Sequence, residues 1–498
     1  MILLLLGSIG AAAQEAPPEP TPADSPAPVT APESAAEPAL PPGLAGPDGE
    51  SPRDQPEEAT EPELPAGLGA GQEPALPGGL GDEPALPSGL GEDPSPAPAP
   101  ASKGDWMDRV RLLWEARYGS RLDNDPAQRD DLTLLETRLQ LAAEKAWSRH
   151  VLEARVDLLA DGLESGLESD LRQLRWTWRA SDALDLQVGR QILTWGTGDL
   201  LFINDLFPKD WQSFLLGRKT EYLKAPSDAL RLGWFTERGN VEIVYTPQFD
   251  PDRFITGERL SFFDPASGSR RGRDQRLRTA PPDDLWQDDE IALRLSDGIG
   301  SWEVALYGYS GFWKSPAGFD PNSGRATFPR LAVWGASARG PWGRGIASFE
   351  AGWYDSRDDA DGGDPTVANG ELRALAGYEL ELGRELTGGL QLYAEQLLDH
   401  DAYRRTLPAG VPARDETRLL VTVRLTQRLR QQTVRLSLFT FWSPTDEDAY
   451  LRPRLEFDLG DRWRFELGGN LFLGTEPHTF FGQFEDNSSL YTAWRYAR

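Results

Sequence analysis

The chain of 498 residues contains no cysteine, 17 tryptophans and 2 methionines, and its formal net charge is −28. Without cysteine there is no disulfide framework, thiolate metal site or thiol nucleophile. The acidic balance disfavours nucleic acid as a partner, because phosphate contacts need a net positive surface.

Met1–Ala13, MILLLLGSIGAAA, is an apolar run closed by small residues, and Ala11-Ala12-Ala13 satisfies the small-x-small cleavage rule. It reads as a secretory signal peptide, too short to cross about 30 Å of hydrocarbon. Residues 14–104 hold 17 acidic and 2 basic residues and no aromatic one. Such a segment cannot bury enough apolar surface to offset the entropy of ordering, so a disordered periplasmic arm is expected. Within the arm, P-x-L-P-x-G-L occurs four times, at 38–44, 62–68, 74–80 and 84–90. The apolar contacts it offers are Leu40, Leu44, Leu64, Leu68, Leu76, Leu80, Leu86 and Leu90. The repeats read either as a drifting linker or as a tandem motif for a periplasmic protein, with avidity from the four copies.

From residue 105 to 498 the pattern has period two. Leu152, Ala154, Val156 and Leu158 alternate with Glu153, Arg155 and Asp157, and Leu419, Val421, Val423 and Leu425 alternate with Arg418, Leu420, Thr422 and Arg424. Runs of about ten such residues are half-buried strands of the length that crosses a bilayer. Short turns are expected near Trp147, Ser181, Gly239, Asp297-Gly298, Gly340-Pro341-Trp342, Gly383, Arg428-Leu429 and Gly460. Longer polar connections, such as 248–288 and 474–488, lie between them. Short and long connections alternating along most of the region, with aromatic residues throughout, point to an all-β fold. The specific expectation is a transmembrane antiparallel β-barrel of about 18 strands in the cell outer membrane, bounded by its lipid. A soluble sandwich or propeller would show the same alternation; strand length and loop asymmetry favour the barrel. The terminal SLYTAWRYAR resembles the signal read by the barrel-assembly machinery, although it ends in Arg498 rather than an aromatic residue.

One connection is neither short nor polar. After the strand at Leu184–Val188 the chain breaks at Trp195-Gly196-Thr197-Gly198 and runs to Leu223 through many apolar and aromatic residues. Gly196 and Gly198 permit an inward turn. The expectation is a loop folded into the lumen as a constriction or plug. Phe202, Phe207 and Trp211 would pack it to the wall, and Asp199, Asp205, Lys209, Asp210, Arg218 and Lys219 would form a polar eyelet.

Val188-Gly-Arg-Gln-Ile-Leu-Thr-Trp-Gly196 followed by Asn204-Asp-Leu-Phe-Pro-Lys-Asp210 resembles a pattern of porin-like proteobacterial outer-membrane barrels of the alginate-export type. The resemblance covers about 25 residues and implies a channel for small, organic or lipid-like solutes.

Lumen-facing positions include Arg138, Arg155, Arg373, Arg418, Arg424, Glu303, Glu350 and Glu395. Facing lipid, an arginine would cost about 2–4 kcal/mol at mid-membrane. The set reads either as a salt-bridged wall or as a selectivity lining of mixed sign. His150, His400 and His478 lack a serine or metal-ligand context, so no enzyme, cofactor or metal is expected. The sequence thus points to passive or partner-gated solute passage. The alternative is a closed barrel whose arm tethers an envelope partner.

Overall fold

A computed structural model of the protein describes residues 110–164, 166–264 and 267–498. The signal peptide, the arm and its four repeats lie outside the described residues. Eighteen strands form one sheet: β1 Val110–Arg121, β2 Leu132–Trp147, β3 His150–Asp161, β4 Gly166–Arg179, β5 Leu184–Ile192, β6 Pro226–Thr236, β7 Gly239–Thr246, β8 Glu290–Ile299 and β9 Trp302–Phe312 make the first half. The second half is β10 Arg330–Trp342, β11 Gly345–Ser356, β12 Glu371–Gly383, β13 Leu386–Leu397, β14 Thr417–Leu429, β15 Val434–Ser443, β16 Asp448–Leu459, β17 Trp463–Gly474 and β18 Ser489–Ala497. Each strand pairs antiparallel with the next. β18 closes on β1 in register from Leu113↔Ala497 to Arg121↔Ser489, which leaves no open edge. Two small hairpins, Phe262–Asp264 with Ser269–Arg271 and Gly318–Asp320 with Arg325–Thr327, sit in the long loops.

The two faces of the sheet invert the soluble rule. β3 exposes Leu152 and Leu158 while Asp157 and Leu159 are buried; β14 exposes Leu419 and Leu425 while Leu420, Thr422 and Thr426 are buried. Inside, Glu115, Arg117, Asp157, Arg172 and Glu466 are almost fully buried. A continuous apolar exterior around a charged interior fits lipid and not water. Exposed Trp147, Trp178, Trp234, Trp342 and Trp463 flank the short turns, placing an aromatic girdle at that end. Leu112 N–H donates to Arg498 O (2.8 Å), so the described chain enters and leaves the barrel there.

Three expected turns are displaced. The chain reverses at Gly300-Ser301 rather than Asp297-Gly298, and at Gly343-Arg344 rather than Gly340–Trp342. Gly298 and Pro341 look like breakers, but they pair across the ladder with Glu303 and Ile346 at strand ends, where a missing side chain or N–H costs little. The turn expected at Arg428-Leu429 falls at 430–433. The connections 248–288 and 474–488 are also not simply polar external loops. Phe249, Ile255, Leu260 and Phe262 from the first, and Phe481 and Phe484 from the second, are buried. Their apolar residues are scattered among charges and become a surface only when the loop folds inward.

Candidate functional site

The insert between β5 and β6 occupies the lumen. Its backbone turns inward at two glycines. A Cβ on Gly196, whose φ is +82°, would lie 2.8 Å from Glu350 Oε1, and one on Gly198 would lie 2.1 Å from Leu201 O. Further along, Asp210 caps the short helix Trp211–Leu215, accepting from Ser213 N–H (2.7 Å). The apolar body is buried: Leu200, Ile203, Phe207, Phe214, Leu216 and Leu223 belong to a cluster shared with the wall residues Tyr354, Leu375, Leu420 and Phe441.

Several walls hold this body. Glu350 on β11 accepts from Thr197 N–H (2.8 Å), Gly198 N–H (3.1 Å) and Asn204 N–H (2.7 Å), and from the Asn204 amide (3.0 Å) and the Thr197 hydroxyl (3.2 Å). Tyr354, also on β11, donates to Ile203 O. Asp199 pairs with Arg424 on β14 (2.7 Å). In the ring of eighteen, β14 is nine strands on from β5, so the insert reaches across the full width of the lumen. Its return leg is tied to the near side. Arg218 pairs with Glu136 on β2 (2.6 Å), Arg117 on β1 donates to Gly217 O (2.9 Å), and Arg172 on β4 donates to Lys224 O (2.8 Å). Phe214 stands edge-on to Phe441 and Tyr450 of β15 and β16, under the Arg452 guanidinium (4.2 Å).

The charged residues of the insert do not ring a single opening as the eyelet reading expects. Asp199 and Arg218 are spent on different walls. Asp205 and Lys209 pair with each other (2.9 Å), Lys209 also lying over the Phe202 ring (4.7 Å), and with Asp210 they are buried. Lys219 lies near Glu221 (3.9 Å). The physical reason is desolvation: inside a packed loop each charge needs a partner closer than an open pore would offer. Phe202 meets Trp211 edge-on (5.9 Å) and Phe207 meets Trp195 (4.9 Å).

Of the wall residues, Arg138 pairs with Asp157 (2.8 Å) and lies over Tyr222 (4.1 Å). Arg155 stands on the inward face of β3 between Glu153 and Asp157. Glu303 meets Arg294 (2.6 Å) beside a short turn. Arg373 binds Glu371 (2.6 Å), Glu395 binds Arg414 (2.8 Å), and Arg418 binds Asp446 (2.6 Å). Sequence reasoning missed Asp252. From the loop after β7 it accepts from Lys209 N–H (2.7 Å), the Trp211 indole (3.1 Å) and the Ser315 hydroxyl (2.5 Å), and burial pushes its carboxyl up. No spacing signal could have joined it to residues about forty positions away. His150 stacks with Trp147 and Trp176, His400 contacts Arg414 O, and His478 lies near Glu476.

Three cavities line up along the β11–β14 side. A vestibule of about 290 Å³ opens among residues of the connections after β13, β15 and β17, including Arg414, Asp446 and Phe480. A middle chamber of about 190 Å³ shares Trp313, Glu395, Arg418 and Phe480 with it. A third, of about 200 Å³ toward the short turns, shares Phe202 and Asp205 with the chamber and is walled by Arg339, Glu379 and Arg424. Residues of the insert therefore line both the second and the third cavities, Phe202 and Asp205 belonging to both.

No family model and no curated protein matches this chain. Among solved structures it is similar to OccD3 (OpdP) of Pseudomonas aeruginosa, at 10% identity over 78% of this chain and 90% of that one, with a TM-score of 0.47. It is also similar to OccAB3 of Acinetobacter baumannii (9% identity, 78% and 98% covered, TM-score 0.44) and to the outer membrane channel DcaP of the same organism (10%, 78% and 96%, 0.38). The class rests on the molecule's own architecture: a closed 18-stranded antiparallel barrel with an apolar exterior and a charged interior, as a transmembrane β-barrel has. The narrower alginate-export resemblance is not shown by these likenesses.

Proposed function

We propose that the protein is an outer-membrane channel through which small solutes pass passively, narrowed by the inward-folded insert. The observation that carries this reading is the attachment of the insert to both sides of the lumen, at Glu350 and Arg424 on one and Glu136 and Arg117 on the other. A loop held at both ends of its span narrows a lumen, and three cavities that share lining residues beside it support a route past it. By the usual arrangement of such barrels the short turns face the periplasm, which supports the reading of residues 14–104 as a periplasmic arm. Planar-bilayer recording of the purified chain tests the proposal. Discrete current steps in potassium chloride are expected, and a barrel that inserts without passing current would favour the closed, tethering role.

A further inference from the structure

We infer that the middle chamber is a binding site for a compact, uncharged aromatic solute, a single substituted ring; this deepens the channel reading and rests on it. The chamber's wall is mostly apolar and rich in rings, among them Phe202, Trp211, Phe214, Trp313, Phe441 and Phe480. Phe202 with Trp211, and Trp211 with Phe214, meet edge to face, so a guest ring finds both faces and edges to pack against. The volume fits one ring: an apolar cavity of about 150 Å³ already takes benzene, and this one holds about 190 Å³.

Each charged residue on the chamber's rim has a partner within the protein, although Arg418 Nη2 makes no hydrogen bond. Lys209 is paired with Asp205 (2.9 Å), Lys314 with Glu290 (2.6 Å), Arg373 with Glu371 (2.6 Å) and Arg418 with Asp446 (2.6 Å). The remaining rim carboxylates are also served, Glu395 by Arg414 and Tyr393, and Asp252 by three donors. A carboxylate or ammonium on the guest would have to displace one of these partners and strand a buried charge. A neutral ring displaces none. The chamber also lies in line with the route, sharing wall residues with the cavities above and below it, so a solute passing Phe202 on that route must first occupy it.

The test uses the intact chain in planar bilayers, with benzyl alcohol, benzoate and myo-inositol added in turn. Benzyl alcohol is expected to interrupt the current in a saturable way. Benzoate (same ring, one charge) and inositol (similar size, polar) should do so about tenfold more weakly or less. Leu420→Asn, which places an amide on the chamber wall, should weaken the benzyl alcohol block about tenfold. Equal block by inositol, or stronger block by benzoate, overturns the inference while leaving the channel intact. Should Leu420→Asn fail to fold, the ranking of the three solutes on the intact chain decides. Should the intact chain pass no current, the channel reading falls. The chamber is then judged by ¹⁹F NMR of 4-fluorobenzyl alcohol with the chain in nanodiscs, where a saturable bound population supports it and its absence overturns it.

Discussion

On the seam side of the lumen, where β18 meets β1, arginines and carboxylates answer one another from strand to strand. Arg495 reaches Glu115 and Glu466 (2.7 Å), Arg117 holds Glu115 (2.6 Å), Arg454 lies near Glu466 (3.7 Å), and Arg435 holds Glu456 (3.2 Å). On the β11–β14 side the inward groups are turned to a different use. Glu350 gives its whole carboxylate to the insert, Arg424 pairs with Asp199, and the cavities open beside them. The same residue types thus mostly pair with one another along one wall, where Arg117 alone of this network also reaches the insert at Gly217 O, and hold the insert directly at the other. Charge in this lumen divides between static filling and positioning, and two kinds of variant separate the two.

The largest effect on stability is expected at the seam. Arg495→Met removes the shared partner of two buried carboxylates. Breaking such a buried network costs about 3–5 kcal/mol, so the thermal unfolding temperature should fall sharply while the folded fraction keeps its conductance. A change in conductance with stability intact would break the comparison. Next comes Glu350→Ala, which strands the buried amides of Thr197, Gly198 and Asn204. Each unpaired group costs about 1–3 kcal/mol, but the loss falls on the insert rather than the barrel. Current noise and proteolysis between Trp195 and Ile203 should rise, with a smaller drop in unfolding temperature than at the seam.

A smaller change is expected from Asp199→Asn. It removes a partly exposed ion pair worth about 1 kcal/mol or less and leaves one more positive charge beside the turn-side cavity. The reversal potential in a salt gradient should shift toward anions. Smallest is the pH dependence from Asp252, whose carboxyl is raised by burial. Between the ordinary carboxylate value of about 3.9 and the raised one, the folded chain binds more protons than the unfolded chain. Its contribution is therefore fully present below the ordinary value and is lost as pH rises through the raised one. Asp252→Asn should flatten that part of the stability–pH curve, read from thermal unfolding at stepped pH.

Much of the frame was legible in the residues. Strict alternation at Leu152–Leu158 and Leu419–Leu425 shows which side chains leave the lumen, because a strand offers only two faces. The break at Gly196 and Gly198 marks the inward turn, since an aromatic-rich loop has no reason to face water. Pairing was less legible. Arg424 and Asp199 both stand out as charged, but their union depends on the register of nine strands and the reach of the insert. The eyelet failed for the same reason: Asp205 and Lys209, four residues apart, satisfy each other locally. The loop carrying Phe249 and Asp252 looked polar because its average composition is polar, while its few apolar residues do the packing.

On the proposed function, the insert, held from wall to wall, sets the width of the path. Single-channel conductance of a chain lacking residues 199–219, compared with the intact chain in the same salt, tests it most directly. The deletion should raise conductance severalfold; an unchanged value would show that the insert does not limit the path.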